Sequence, residues 1–100
     1  MEQADSTLTA ELRSAIARAA DALRAEGAAE VYLFGSAVTG RLREGSDIDL
    51  AVSGLPPERF FPAMARAMDV LDRSLSLVDL DEDTPFTRYL RTEGELQRVG

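Results

Sequence analysis

The run Asp47-Ile48-Asp49-Leu50-Ala51-Val52 alternates acidic or small residues with branched apolar ones. A period of two argues for a β-strand with unlike faces, so Asp47 and Asp49 project to one side and Ile48, Leu50 and Val52 to the other. At about 3.3 Å of rise per residue the two aspartate Cα atoms stand roughly 6.6 Å apart. Two charges at about 6 Å repel by roughly 3 kcal/mol at an effective dielectric of 20. A divalent cation held between them removes that penalty. Oxygen-only ligands on a strand suit Mg2+ or Mn2+, which then bridges to the phosphate oxygens of a substrate.

Upstream, the apolar run Val31 to Phe34 reads as a neighbouring strand that ends in Gly35-Ser36. Glycine at that point lets the backbone turn sharply and approach a ligand, and the amides of a short helix starting near Ala37 can face an anion. Ser36 then offers a hydroxyl to a phosphate. Gly40, Arg41, Arg43, Gly45 and Ser46 fill the interval, so cations and pliant backbone adjoin the carboxylates. Each half has a plainer reading. A Gly-Ser after a strand is commonly a turn, and an Asp-x-Asp on a strand is commonly a solvated edge. The joint spacing distinguishes this pair.

Composition limits the alternatives. With neither cysteine nor histidine, the chain has no disulfide, no thiolate or imidazole metal site and no Ser-His or Cys-His nucleophile. Carboxylates are left as the obvious acids and bases. A formal charge of −7 argues against a protein that grips long nucleic acid by neutralising phosphates, though a nucleotide arriving with its own metal remains compatible. All the basic residues are arginine, so only fork-shaped guanidinium groups are present to meet phosphate or carboxylate. No apolar run is long enough to cross a membrane, and the polar, acidic start Met1-Glu2-Gln3-Ala4-Asp5 does not resemble a signal peptide. A cytoplasmic location is expected.

At 100 residues, a single domain spanning 1–100 is expected. Thr7 or Thr9 caps a first helix with Leu12, Ile16, Ala19 and Leu23 inward and Gly27 as its stop. The strand Val31 to Phe34, a short helix around Val38 to Arg43 and the strand Asp47 to Ser53 follow. Pro57 opens a second long helix, whose Phe60, Phe61, Met64, Met68 and Leu71 are expected to form a core face. Leu75 to Leu80 reads as a third strand, and Asp81 to Pro85 as an acidic loop. In the last helix Phe86, Tyr89 and Leu90 face inward, and Gly94 ends it. The tail from Glu95 to Gly100 adds a short strand or frays. The order α-β-α-β-α-β-α predicts an α/β (α+β) fold, with a small mixed β-sheet packed against helices.

Gly35-Ser36, a loop carrying glycine and arginine, then Ser46-Asp47-x-Asp49-Leu50 entering a strand resembles the signature of the nucleotidyltransferase superfamily that includes DNA polymerase beta. In so short a chain the likeness is greatest to the minimal nucleotidyltransferases, and it covers nearly the whole sequence. It implies the nucleotidyltransferase fold and binding of Mg2+ (or Mn2+) with ATP or another nucleoside triphosphate. A nucleotidyl group, AMP from ATP, would pass to an acceptor hydroxyl. Asp47 and Asp49 would hold the metals, Gly35, Ser36 and Ser46 the nucleotide, and Arg41 or Arg43 would steer the triphosphate. Relatives carry a third acid within a Val-Asp-Leu-Val-Asp-Leu run; here that run is Leu75-Ser76-Leu77-Val78-Asp79-Leu80, so Ser76 occupies the third catalytic position. Serine supplies neither the charge nor the basicity of a carboxylate. A bulge that brought Asp79 to the site would restore the triad. The resemblance further implies a helical HEPN partner in a toxin-antitoxin pair, with this chain as the antitoxin that modifies the toxin. The rival reading is a degenerate binding subunit that acts by complex formation. Direct nucleic-acid binding would need a gripping domain or a basic partner surface.

Overall fold

The computed structural model describes residues 9–43 and 45–100. Helix α1 (Ala10–Ala25) begins where the Thr9 hydroxyl accepts a hydrogen bond from the Leu12 amide at 3.0 Å. Thr7, the other candidate cap, lies outside the described residues. Ile16, Ala19, Ala20 and Leu23 form its buried stripe, and Gly27 follows the cap residue Glu26.

Four strands build one mixed sheet in the order β3-β2-β1-β4. Strand β1 (Glu30–Phe34) runs antiparallel to β2 (Ile48–Ser53), pairing Glu30 with Ser53 through to Phe34 with Asp49. Strand β3 (Leu75–Asp79) runs parallel to β2. The C-terminal stretch forms a strand, since β4 (Gln97–Arg98) pairs antiparallel with β1. Between β1 and β2, helix α2 (Ser36–Thr39) is a single turn. The sequence placed this helix around Val38 to Arg43; Gly40, at φ 80°, closes the turn first and leaves Arg41 and Arg43 in the following loop.

The alternation in β2 divides the core. Ile48, Leu50 and Val52 join Val31, Leu33 and the inner residues of α1 and α3 (Phe60–Leu71) in the larger cluster. Ala51 joins Phe34, Leu80 and Leu90 in the smaller one on the opposite face.

The expected core stripe of α3 is corrected. Its buried residues are Ala63, Ala67 and Leu71, while Phe61 is 71% and Met68 40% exposed. α1 brings Ala19 and Ala20 to the same cluster. Small side chains on both helices permit a close axial approach, and a large residue there would hold them apart. Phe60 stays partly buried and stacks edge-on against Phe61 at 5.3 Å. A 3-10 turn, Pro57–Arg59, leads into the helix from Pro57 as its first residue.

In α4 (Pro85–Thr92), reciprocal hydrogen bonds between Thr84 and Thr87 box the N-terminus. Of the three residues expected inside, only Leu90 is buried; Phe86 and Tyr89 are half exposed. α4 meets the sheet through Leu90, which joins Phe34, Ala51 and Leu80 in the smaller cluster. Thr87 is buried in the cap it forms with Thr84 and Glu82, and the larger aromatic residues border open space.

Candidate functional site

Strand β1 stops at Phe34, and Gly35 takes φ 76° and ψ −146°, a backbone conformation open in practice to glycine alone. The bare α-carbon has a second use. A Cβ on Gly35 would overlap a carboxylate oxygen of Asp49 and come within 3.1 Å of its Cγ. Because Phe34 pairs with Asp49, the antiparallel register sets the acidic side chain against the bend that follows. Ser36 opens α2, half buried, and the Gly35 carbonyl accepts from the amides of Val38 and Thr39, each at 3.0 Å. The first amides of such a turn have no acceptor within the helix.

The loop from Gly40 to Asp47 is fixed by two devices. Leu42 is 4% exposed and anchors in the larger core. Ser46 accepts through Oγ from the Arg43 amide, and its own amide donates to the Arg43 carbonyl, both at 3.0 Å. The Ser46 hydroxyl, expected to meet the nucleotide, accepts this one bond and keeps its own hydrogen to donate. Arg73 completes the clip, donating from Nε to the Ser46 carbonyl and from Nη2 to the Arg43 carbonyl, both at 2.8 Å. Sequence reasoning passed over Arg73; an isolated arginine after a helix end carries no pattern that marks it. Arg41 and Arg43 are exposed along this loop.

Asp47, expected to open the strand, sits exposed one residue before β2, because ladder pairing starts with the Ile48 amide on the Ser74 carbonyl at 3.0 Å. Asp49 is partly buried. Burial first, and then the negative charge of Asp47, push its carboxyl above the ordinary value. The two acids thus interact electrostatically, although only one is in the ladder. Among the described residues neither lies within ion-pair distance of an arginine.

Across the parallel ladder, Asp49 is the register partner of Ser76, about 4.8 Å away in strand spacing. Their side chains share a face. The β2–β3 pairing continues unbroken from Ile48–Leu75 to Val52–Asp79, with no bulge. Asp79 therefore belongs to the opposite face, where its Oδ1 accepts from the Asp81 amide at 2.9 Å. The described residues hold no group of three acidic side chains suited to a metal. Two carboxylates with their repulsion uncompensated match a single hard cation that carries further oxygen ligands of its own.

The family model described as "Polymerase beta, Nucleotidyltransferase" matches residues 20–96. No curated protein matches the chain. Among solved structures, a toxin-antitoxin crystallised with AMP-PNP is 28% identical, with TM-score 0.64, 84% of this chain covered and 70% of that one. A toxin-antitoxin MntA-HpeT mutant with two aspartates changed to glutamate is 27% identical, with TM-score 0.60, 76% of this chain covered and 66% of that one. The toxin-antitoxin MntA-HepT, at 24% identity and TM-score 0.60 over 84% of this chain and 69% of that one, shares the fold. The bend, the paired acids and the mixed sheet thus have a common source: the chain belongs to the polymerase beta nucleotidyltransferase family, as a minimal nucleotidyltransferase.

Proposed function

We propose that the chain binds a nucleoside triphosphate together with Mg2+ or Mn2+ and transfers the nucleotidyl group to an acceptor hydroxyl. The reading is carried by the Asp49 carboxylate lying against the bare Gly35 backbone with Asp47 close enough to raise its proton affinity. Asp47 and Asp49 are the metal ligands. A bound divalent cation supplies the positive charge that offsets their repulsion and draws phosphate oxygens to them. Gly35 admits the triphosphate to the backbone, Ser36 donates its hydroxyl, and Arg41 and Arg43 bring cationic charge from the loop. Ser46 holds the nucleotide through the hydroxyl hydrogen that its bond from the Arg43 amide leaves free. In the transfer, the acceptor oxygen bonds to the α-phosphorus and gives up its proton to solvent, while the bond from that phosphorus to the bridging oxygen breaks and pyrophosphate leaves. ATP is the favoured donor, since one structural relative holds AMP-PNP. The relatives are toxin-antitoxin assemblies. By that likeness the acceptor lies on a HEPN-type toxin, and this chain is its antitoxin.

A specific observation favours a second reading, a binding subunit that no longer catalyses. Ser76 stands in register with Asp49 where the third acid is expected, and Asp79 is on the other face. No other described carboxylate completes a triad. Incubation with labelled ATP, Mg2+ and the co-expressed toxin distinguishes the two. Labelled toxin supports transfer; a stable complex without label rejects it and leaves the binding role. Ser76→Asp is expected to raise labelling about 100-fold, the low end of what a general base typically contributes. Unchanged labelling would show that Ser76 is not the position that limits the reaction.

A further inference from the structure

A groove of about 470 Å3 opens between α4 and the end of β1. One wall is Phe34, Gly35 and Thr39, so the groove begins at the glycine on which the Asp49 carboxylate rests. The other wall comes from α4 and the residues after it, including Phe86, Tyr89, Glu93 and Glu95. Its size falls within the range of small-molecule sites.

The lining selects among occupants. Phe86 and Tyr89 are half exposed, at 50% and 54%, and Phe86 meets Phe34 edge-on at 6.2 Å. Exposed aromatic rings beside a phosphate-binding bend offer a stacking platform, since every nucleobase has a π-face. Glu93 and Glu95 work in the opposite sense toward phosphate: ionised carboxylates only accept hydrogen bonds and repel an anion. The triphosphate is thereby kept at Gly35 and Ser36, away from the groove. A base bearing an amino group meets acceptors there.

We propose that this groove is the base subsite for an amino-bearing purine nucleoside triphosphate, with Tyr89 and Phe86 stacking on the ring and Glu93 and Glu95 accepting from its exocyclic amine. This rests on the nucleotide reading above and extends it to residues outside the Gly-Ser and Asp-x-Asp motifs. The arrangement gives α4 a part in substrate choice as well as in closing the sheet.

The test is calorimetric titration of the full chain with Mg-ATP and, separately, with magnesium tripolyphosphate, which has no base. Tyr89→Ala is expected to weaken Mg-ATP about 10-fold, in keeping with the loss of one stacking partner, and to leave tripolyphosphate unchanged. Tyr89→Phe keeps the ring and is expected to stay within about 2-fold of the parent. Glu93→Gln combined with Glu95→Gln is expected to shrink the preference for ATP over purine riboside triphosphate, which lacks the amine. Several outcomes would overturn the subsite: equal weakening of both ligands by Tyr89→Ala, no effect on either, or a parent that binds tripolyphosphate as tightly as ATP. An undiminished preference in the double glutamine variant overturns the part given to the carboxylates. A parent that binds neither ligand removes the nucleotide reading itself, a result separable from the others because no variant is needed to see it.

Discussion

The two faces of β2 are built from alternate residues of one strand, yet they serve opposite ends. Ile48, Leu50 and Val52 are wholly buried under α1 and α3. Asp49, one step out of phase, is only partly buried, and the face it shares with Ser76 is covered by a single short helix, α4, through Leu90. One face therefore holds the fold by apolar burial, while the other carries charge at the edge of a smaller cluster. A site with a like-charge pair needs the solvent access that the second face retains, and the first face supplies the stability that such a pair erodes. The comparison is broken most directly from the apolar side. Leu50→Ala is expected to cost about 3 kcal/mol, read as a lower denaturation midpoint in urea. A loss under about 1 kcal/mol, the low end for core truncations, would mean that the buried face is not what keeps the sheet together.

Gly35→Ala probes the junction of the two faces and is expected to have the next largest effect. The added methyl faces both an unfavourable φ of 76° and the Asp49 carboxylate. Backbone strain of this kind costs about 2 kcal/mol. The carboxylate must also shift, so Mg-ATP binding should fall by more than stability alone explains. If the variant bound Mg-ATP as the parent does, the contact between bend and acid would be incidental to the site.

The alternation of β2, the Gly-Ser bend and the order of elements were legible because each is set by neighbours in sequence: a period of two, a glycine after an apolar run, a cap before a helix. The displacement of Asp79 was legible too, since three residues along a strand reverse the face, and the unbroken ladder shows it. The inner stripe of α3 was not. Hydrophobicity favoured Phe61 and Met68, but the partner helix presents Ala19 and Ala20, and the choice of Ala63 and Ala67 is made by the space between two helices far apart in sequence. The same holds at the site. Arg73 and Ser46 close the loop through backbone carbonyls, contacts that residue type does not announce. Phe86 and Tyr89 are expected inside, whereas α4 turns Leu90 to the smaller cluster and leaves the two rings lining the Gly35 groove.

The smallest expected effect sharpens the contrast most. The Asp49 carboxyl lies above its ordinary value of 3.8 because burial and Asp47 both disfavour its charge. Between 3.8 and the raised value the folded protein binds a proton that the unfolded chain has released, so stability falls as pH rises through that window and stays lower above it. Asp49→Asn removes the charge. The metal-free variant is therefore expected to be more stable than the parent at neutral pH, and the gap to close as pH falls below 3.8, where both side chains are neutral. Adding Mg2+ should reverse the ranking, because only the parent retains both carboxylates that the cation would compensate, and ligand bound to the native state alone raises its stability. Thermal melts across pH with and without Mg2+ measure both effects. Were the asparagine variant no more stable at neutral pH, Asp49 would be an ordinary solvated acid, and the division of labour between the faces of β2 would lose its electrostatic half.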